Sequence, residues 1–532
     1  MEKVFIYDTT LRDGAQGRGV TFTLEDKLRV TKLLDDFGVS YIEGGWPGSN
    51  PKDVEYFEKV KSINLKNSKI TAFGSTRRKN ASVEEDQNLK ALIDSGVSVV
   101  TIFGKSWDLH VTEILGATLE ENVLMIQESV SYLKSKGLEV IYDAEHFFDG
   151  YKANKEYAKL TLEAAERGGA DWIVLCDTNG GTLPEEVARA VEEVKKSVSA
   201  ALGIHAHNDA ELGVANSLAA VSVGCRQVQG TINGFGERCG NANLISLIPT
   251  LQLKYQYDCV SKEKLKGLSE LSRRVYEIAN INANPQAPYV GVCSFTHKGG
   301  VHVSAVEKLP HSYEHIYPEL VGNVRHVVLS ELSGRGNLRM RAEQAGLSMD
   351  GAEAELLQKL KQLEHEGLSF ENAEGSFDLF VMRSKNDYVT PFTVKESMVV
   401  SEKRGEEIKG VEAIVKVIVD GELLHTAACG DGPVHALDQA LRKALLPRYP
   451  MLEAVHLTDY KVRILNPDKA TGAVTRVVIE ASTEHDSWST VGCSPNIIEA
   501  SLQALTDSYE LYLSNLSIAQ KRYDAESIFA SS

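Results

Sequence analysis

Cysteine, methionine and tryptophan are scarce in this chain, at 7, 7 and 4 of 532 residues. The cysteines (Cys176, Cys225, Cys239, Cys259, Cys293, Cys429 and Cys493) are odd in number, dispersed and never spaced as C-x-x-C. That usage reads as reduced, mostly packing thiols of a cytoplasmic protein, not as a disulfide framework. No apolar run is long enough to span a bilayer. The N-terminal "MEKVFIYDTTLRDG" lacks the basic, apolar and small-residue succession of a secretory signal, so a strand is expected at once. No low-complexity tract or long single-sign run points to a disordered tail. Positive charge is also short: 57 Lys and Arg face 74 Asp and Glu, a net −17 that argues against a nucleic-acid surface. It does not exclude anionic small substrates, because a metal ion and a few arginines can reverse the potential of one cleft.

What is present is globular material, 43% apolar and 25% charged. The length predicts two or three domains. From Val4 to about residue 256, short β-branched runs alternate with helical patterns. The strand candidates are "VFIY" at 4, "VSYIEG" at 39, "KITAFG" at 69, "SVVTIFG" at 98, "LEVIYDAE" at 138, "DWIVLCDT" at 171, "GIHAH" at 203 and "RQVQGTI" at 226. Thr23 and Thr118 open helices with "TLED" and "TLEE", each placing a cap oxygen three residues ahead of an acid. In the first helix Val30, Leu33, Leu34 and Phe37 make one apolar stripe, stopped by Gly38. Eight units of about 25 to 40 residues fill about 250 residues, the size of a closed (β/α)8 TIM barrel. A doubly wound open sheet is the alternative, weakened because G-x-G-x-x-G is absent after the first strand.

Residues 260 to about 375 are less regular. "EKLKGLSELSRRVYEIAN" and "AEAELLQKLKQLEHEG" read as helices, separated by a Gly- and His-containing stretch and by "LSELSGRGNLRMRAEQAG". A helical connecting region is expected here, not a free linker. From about Ser376 strands are predicted: "FDLFVM", then "AIVKVIVDGELLHTAA" with Asp420-Gly421 as a hairpin turn. "GDGPVHALDQALRKAL" and "GCSPNIIEASLQAL" each read as a tight Gly turn into a helix with Pro in its first turn, Gly430 and Pro433 recurring as Gly492 and Pro495. The last third is therefore predicted to be a duplicated α+β unit, suited to assembly or ligand sensing.

The chemistry gathers at strand ends. In "GIHAHNDAELG" His205 and His207 stand two apart, so on a strand they share one face. On the seventh strand of a barrel that face ends at the mouth, where this fold builds its sites. In a closed barrel strands seven, eight and one lie side by side, so Asp13, in "DTTLRDGAQG" after the first strand, can supply a converging carboxylate, and Asn241, after the eighth, a neutral oxygen from between them. Two nitrogens, a carboxylate and open positions suit Mn²⁺, Mg²⁺ or Zn²⁺. An H-x-H pair alone reads more simply as two satisfied histidines; its convergence with Asp13 favours the metal. Arg12 is a permanent cation beside that ion, able to stabilise an oxyanion. Glu145 ends strand five next to Phe147 and Phe148, apolar surroundings expected to raise its pKa for proton transfer; a plain rim carboxylate is the competing reading. Thr178 ends strand six and can bond a substrate carboxylate or serve as a turn residue.

"DTTLRDGAQ", "IHAHND", "NGFGERCGNANL" and "HKGGVHVSA" resemble the family of 2-isopropylmalate, homocitrate and citramalate synthases, metal-dependent enzymes that condense acetyl-CoA with a 2-oxo acid on a (β/α)8 barrel. The resemblance spans essentially the whole chain, because "GDGPVHALDQAL" is similar to their regulatory and dimerisation domain. It implies a catalytic barrel over 1–258, a connecting region over 259–375 that contributes to the active site, and a regulatory/dimerisation domain over 376–518. It also implies metal ligation by Asp13, His205 and His207 with Asn241 fourth, a catalytic Arg12, substrate contacts from Gln16 and Thr178, and catalytic roles for Glu145, His302 and Tyr313. The proton-removing base is then Glu145 or His302. Three positions depart from the family pattern: "RDGEQ" is "RDGAQ", "SxED" on strand five is replaced by "DAEHFFDG", and the acid after the catalytic histidine is Ser304.

"DGAQGRGVTFTLEDK" and "DAEHFFDGYK" are most similar to the citramalate branch, which uses pyruvate. Phe103, Trp107, Phe147 and Phe148 are candidates to narrow the pocket for a methyl group, or else are core aromatics. The resemblance thus implies acyltransfer from acetyl-CoA to pyruvate in isoleucine synthesis, a homodimer, and isoleucine as feedback inhibitor. The alternatives are a synthase acting on a larger 2-oxo acid, a related metal-dependent aldolase or carboxyltransferase, and an inactive amino-acid sensor.

Overall fold

The structure is a computed structural model that describes residues 1–530 apart from 299, 328–337, 340–341, 344–352, 405–406 and 485. It divides into two compact units, Met1–Phe295 with Ile316–Arg325, and Thr296–His315 with the chain from His326 onward.

In the first unit eight parallel strands close into a barrel: β1 (Phe5–Asp8), β2 (Tyr41–Gly45), β3 (Lys69–Ser75), β4 (Val99–Lys105), β5 (Glu139–Glu145), β6 (Trp172–Asp177), β7 (Ala201–Ala206) and β8 (Gln227–Gly230). Strand β1 pairs with β2 on one side and β8 on the other, so the sheet has no edge and the open-sheet alternative fails. The strand period of two sorts the side chains. Ile6, Leu202, Ile204, Ala206 and Val228 pack in the layer shared with the helices. Tyr7, Tyr41, Ile141, Trp172, Val174 and Cys176 fill the barrel interior. The same alternation aims Glu43, Asp143, His205 and Gln229 inward. The sequence-read helix starts hold: the Thr23 side chain accepts from the Asp26 amide in a capping box, and that of Thr118 from the Glu121 amide. Gly38 ends the first helix at φ 95°, a left-handed position that costs glycine nothing.

In the second unit β9 (Thr296–His297) and β10 (His326–Val327) pair in parallel. Helices span Gly300–Lys308 and Glu353–His365. The predicted stretch "LSELSGRGNLRMRAEQAG" lies mostly outside the described residues. Two antiparallel three-stranded sheets follow: β11 (Phe392–Arg404), β12 (Glu407–Val419) and β13 (Glu422–Gly430), then β14 (His456–Ile464), β15 (Thr475–Ser482) and β16 (Ser487–Ser494). Each runs into a helix, Pro433–Leu445 and Ile497–Ala530, which is the duplication read from the sequence. A Cβ on Gly430 would lie 2.4 Å from the Ala436 amide nitrogen, and one on Gly492 2.0 Å from the Ala500 carbonyl oxygen. The recurring glycines thus let each helix backbone close onto its sheet. Asp420 and Gly421 have φ of 50° and 80°, both positive as a type I′ hairpin requires.

Two expectations fail here. "FDLFVM" is helical, within Glu374–Arg383, because Phe377, Leu379, Val381 and Met382 are all buried in one cluster with Leu356, Leu360 and Leu511. A short continuous apolar run does not distinguish a fully buried helix from a strand. Pro495 precedes its helix by two residues instead of occupying the first turn, since β16 runs on to Ser494. Among the described residues no helix is long and apolar enough to cross a membrane.

Candidate active site

Strand β7 carries its hydrophobic residues outward and His205 inward; His207 follows its end and is held by a bridge to Asn241. Asp13 lies in the tight turn after β1, its amide bonded to Thr9 Oγ1 at 3.3 Å. One ligand atom from each of Asp13, His205 and His207 falls within 4.8 Å of the others, and all three residues are buried. His205 Nε2 is 3.7 Å from Asp13 Oδ2. Asn241 Nδ2 donates to Asp13 Oδ1 at 3.2 Å. Two buried polar atoms of this cluster, His207 Nδ1 and Asn241 Oδ1, have no hydrogen-bond partner. A divalent cation suits that donor set: it takes imidazole lone pairs and a carboxylate, and relieves the electronegative atoms left unpaired.

The electrostatics agree with ligand chemistry. Burial opposes the charge on Asp13, but Arg12 and the two imidazoles outweigh it and hold the carboxyl below its usual range. Burial, reinforced by His205, depresses His207 from 6.5 to about 4, so it is a neutral imidazole near pH 7. His205 is fixed by partners that the sequence reading missed. Its Nδ1 bonds Gln229 Oε1 at 2.7 Å, and Gln229 Nε2 donates to Asp143 Oδ1 at 3.0 Å. With the Gln229 oxygen accepting, Nδ1 carries the hydrogen and Nε2 keeps its lone pair toward Asp13. Burial pushes Asp143 up to about 7.

Arg12 is held by Glu43, also missed, which accepts Arg12 Nε at 2.6 Å and the Tyr7 hydroxyl at 2.6 Å. Arg12 Nη1 reaches Asp13 Oδ2 at 2.9 Å, and its guanidinium lies 3.7 Å from the centre of the Phe73 ring. Phe73 stacks on Phe103 at 5.5 Å, and Trp46 packs edge-on against both. "YIEGG" did hold a signal for Glu43: a carboxylate alternating with apolar residues on a buried strand has to be paired with something.

The other predicted positions have partners of their own or stand exposed. Thr178 accepts the His146 amide at 2.8 Å, so its hydroxyl already braces the rim. Gln16 is exposed at the end of a short 3₁₀ turn. Glu145 is not in apolar surroundings: it pairs with Lys105, from the neighbouring β4. Phe147 and Phe148 point away into the hydrophobic core, where they are 0% and 4% exposed, so they do not narrow a pocket. Trp107 stacks on His110. His302 and Tyr313 belong to the second unit, where their rings lie 4.5 Å apart.

Comparison with known proteins accords with this geometry. Residues 3–275 match the HMGL-like family, 289–367 the homocitrate synthase post-HMGL domain-like family, and 371–513 the LeuA allosteric (dimerisation) domain. The chain is 53% identical to an (R)-citramalate synthase of Geobacter sulfurreducens, over 96% of this chain and 98% of that one. It is 54% identical to an (R)-citramalate synthase of Aquifex aeolicus, over 95% and 97%. Identity falls to 30% with a 2-isopropylmalate synthase of Methanocaldococcus jannaschii, over 95% and 94%. With a barrel of the HMGL-like type and more than half its residues shared end to end, the chain belongs to the family of the (R)-citramalate synthases.

Proposed function

We propose that this chain condenses acetyl-CoA with pyruvate and water to give citramalate and CoA. The observation that carries the reading is identity of 53–54% to (R)-citramalate synthases over nearly the full length. The geometry adds independent support. Asp13, His205 and His207 would hold a divalent ion, with Asn241 Oδ1 as a further oxygen. Such an ion supplies Lewis acidity toward a keto oxygen. Arg12 keeps its Nη2 hydrogens uncommitted to the described residues, and these can meet the oxyanion that forms when the keto carbon is attacked. Trp46, Phe73 and Phe103 form a rigid apolar wall beside it, suited to the methyl of pyruvate.

The finer properties belong to the same proposal. The match to an allosteric dimerisation domain over 371–513 supports a homodimer whose C-terminal unit senses an amino acid, with isoleucine as the inhibitor expected of this product. The free cysteines fit a reducing cytoplasm. The test is thiol release from acetyl-CoA across 2-oxo acids, with and without a chelator. Pyruvate is expected to be turned over much faster than 3-methyl-2-oxobutanoate, and only with metal present. A preference for the branched acid would reassign the chain to isopropylmalate synthesis, and no thiol release with any acid would make it a sensor or an aldolase.

A further inference from the structure

A cavity of about 540 Å³ opens at the N-terminal end of the barrel, the end opposite Asp13, His205 and His207. Its rim carries Lys3, Lys66, Lys69 and Lys264 against a single carboxylate, Asp258. Across the chain acids outnumber bases by 74 to 57, so the sign of the charge is reversed here. Lys69 pairs with Glu139. Among the described residues the other three ammonium groups have no carboxylate at ion-pair distance. Gathered without acids they repel one another, a cost that a bound anion relieves. A cleft of one sign also focuses its field on such an anion. The floor is apolar, with Phe5 and Tyr41 where β1 and β2 begin. The Phe5 ring is partly buried, in a T-shaped contact with Trp172 at 5.3 Å.

The lysines are presented by backbone that is already pinned. The amides of Lys66, Asn67 and Ser68 donate to the Asp35 carboxylate at 2.9, 2.8 and 2.8 Å, fixing the turn before β3. The Val4 amide donates to the Asp258 carbonyl at 3.0 Å and the Asp258 amide to the Glu2 carbonyl at 2.9 Å, tying the segment after β8 to the start of β1. Lys264 lies against Gly38, where a Cβ would stand 3.0 Å from Lys264 Cδ. Lys3 Nζ sits 5.0 Å from the centre of the Phe5 ring. We infer that this cavity binds a nucleoside di- or triphosphate, at the end of the barrel away from the condensation site. Ammonium groups are compact point charges suited to phosphate oxygens. Standing on separate segments, they fit a chain of phosphates better than one isolated anion. The aromatic floor suits the flat face of a base. The volume lies within the roughly 300–1,000 Å³ of small-molecule pockets.

Calorimetric titration of the full-length protein with ADP, ATP and inorganic pyrophosphate tests this, beside the double variant K3Q/K66Q. Both lysines are exposed and touch neither the metal cluster nor Arg12, so the variant should keep the wild-type thermal transition. Wild type is expected to bind ADP and ATP saturably, with a dissociation constant below about 1 mM. The variant should bind each at least about tenfold more weakly, having lost two charge-assisted contacts. Added salt should weaken binding to wild type more steeply than binding to the variant. Pyrophosphate, which has no base to cover the floor, should bind more weakly than ADP. No saturable binding to wild type would overturn the inference. So would an affinity that K3Q/K66Q leaves unchanged, because the nucleotide would then be held elsewhere on the chain. Pyrophosphate binding as tightly as ADP would overturn the nucleoside assignment.

Discussion

Gln229 bonds His205 Nδ1 at 2.7 Å through its amide oxygen and Asp143 at 3.0 Å through its amide nitrogen. The residue joins a candidate metal ligand on β7 to a buried carboxyl on β5 across the barrel axis. Its orientation decides which imidazole nitrogen presents a lone pair to a cation.

Replacing Gln229 by Leu removes that constraint while keeping the side chain's bulk. Divalent-ion affinity, read by calorimetry, should fall about 10- to 100-fold. Affinity equal to wild type would show that the His205 tautomer is set some other way.

Metal-free protein should lose stability on the acid side through His207. Its pKa is about 4 in the folded site against an ordinary 6.5, a depression caused first by burial and then by His205. Between those values the unfolded chain binds a proton that the folded chain does not, so stability falls as pH drops from 6.5 toward 4. The full effect is on the order of 3 kcal/mol. Denaturant titrations of wild type and His207→Gln at several pH values isolate it: the variant should show a flatter acid limb, and identical limbs would contradict the burial argument.

Opening the aromatic wall should relax substrate choice. Phe73→Ala and Phe103→Ala are each expected to raise the 2-oxobutanoate-to-pyruvate ratio of kcat/KM by about tenfold, corresponding to a pocket energy of roughly 1–3 kcal/mol per methylene. An unchanged ratio would place the specificity pocket elsewhere.

Gly492→Ala should destabilise the second unit, because the added Cβ would lie 2.0 Å from the Ala500 carbonyl oxygen. A cost of about 1–3 kcal/mol is the usual result of forcing a methyl into a close-packed contact. The lowered thermal transition should be that of the C-terminal unit, monitored by Trp488 fluorescence, with thiol release by the barrel retained just below it. An unshifted transition would mean the helix can move away at no cost.

The barrel was legible because its rhythm is local: each strand, cap and terminal glycine is written in consecutive residues, and Gly38 or Thr23 can be recognised without knowing what packs against them. The His205–His207 pair was legible for the same reason, since a spacing of two on a strand fixes a shared face. Asp13 needed only the closure of the ring, which leaves a single strand, β8, between the first and the seventh. What failed was contact across the ring. Nothing adjacent to Glu145 announces Lys105, which is 40 residues earlier but level with it across β4 and β5. Nothing next to Phe147 tells whether its ring turns to the mouth or to the core. "FDLFVM" failed differently, because its buried Phe377, Leu379 and Val381 stand two apart, the spacing of a strand, although the segment is helical.

The most direct test of the account is whether one divalent ion binds at Asp13, His205 and His207. Metal analysis with anomalous diffraction from crystals soaked in Mn²⁺ is expected to show one ion per chain touching all three side chains, with none in His205→Ala and thiol release lost in step. An ion bound elsewhere, or full activity in rigorously demetallated protein, would contradict it.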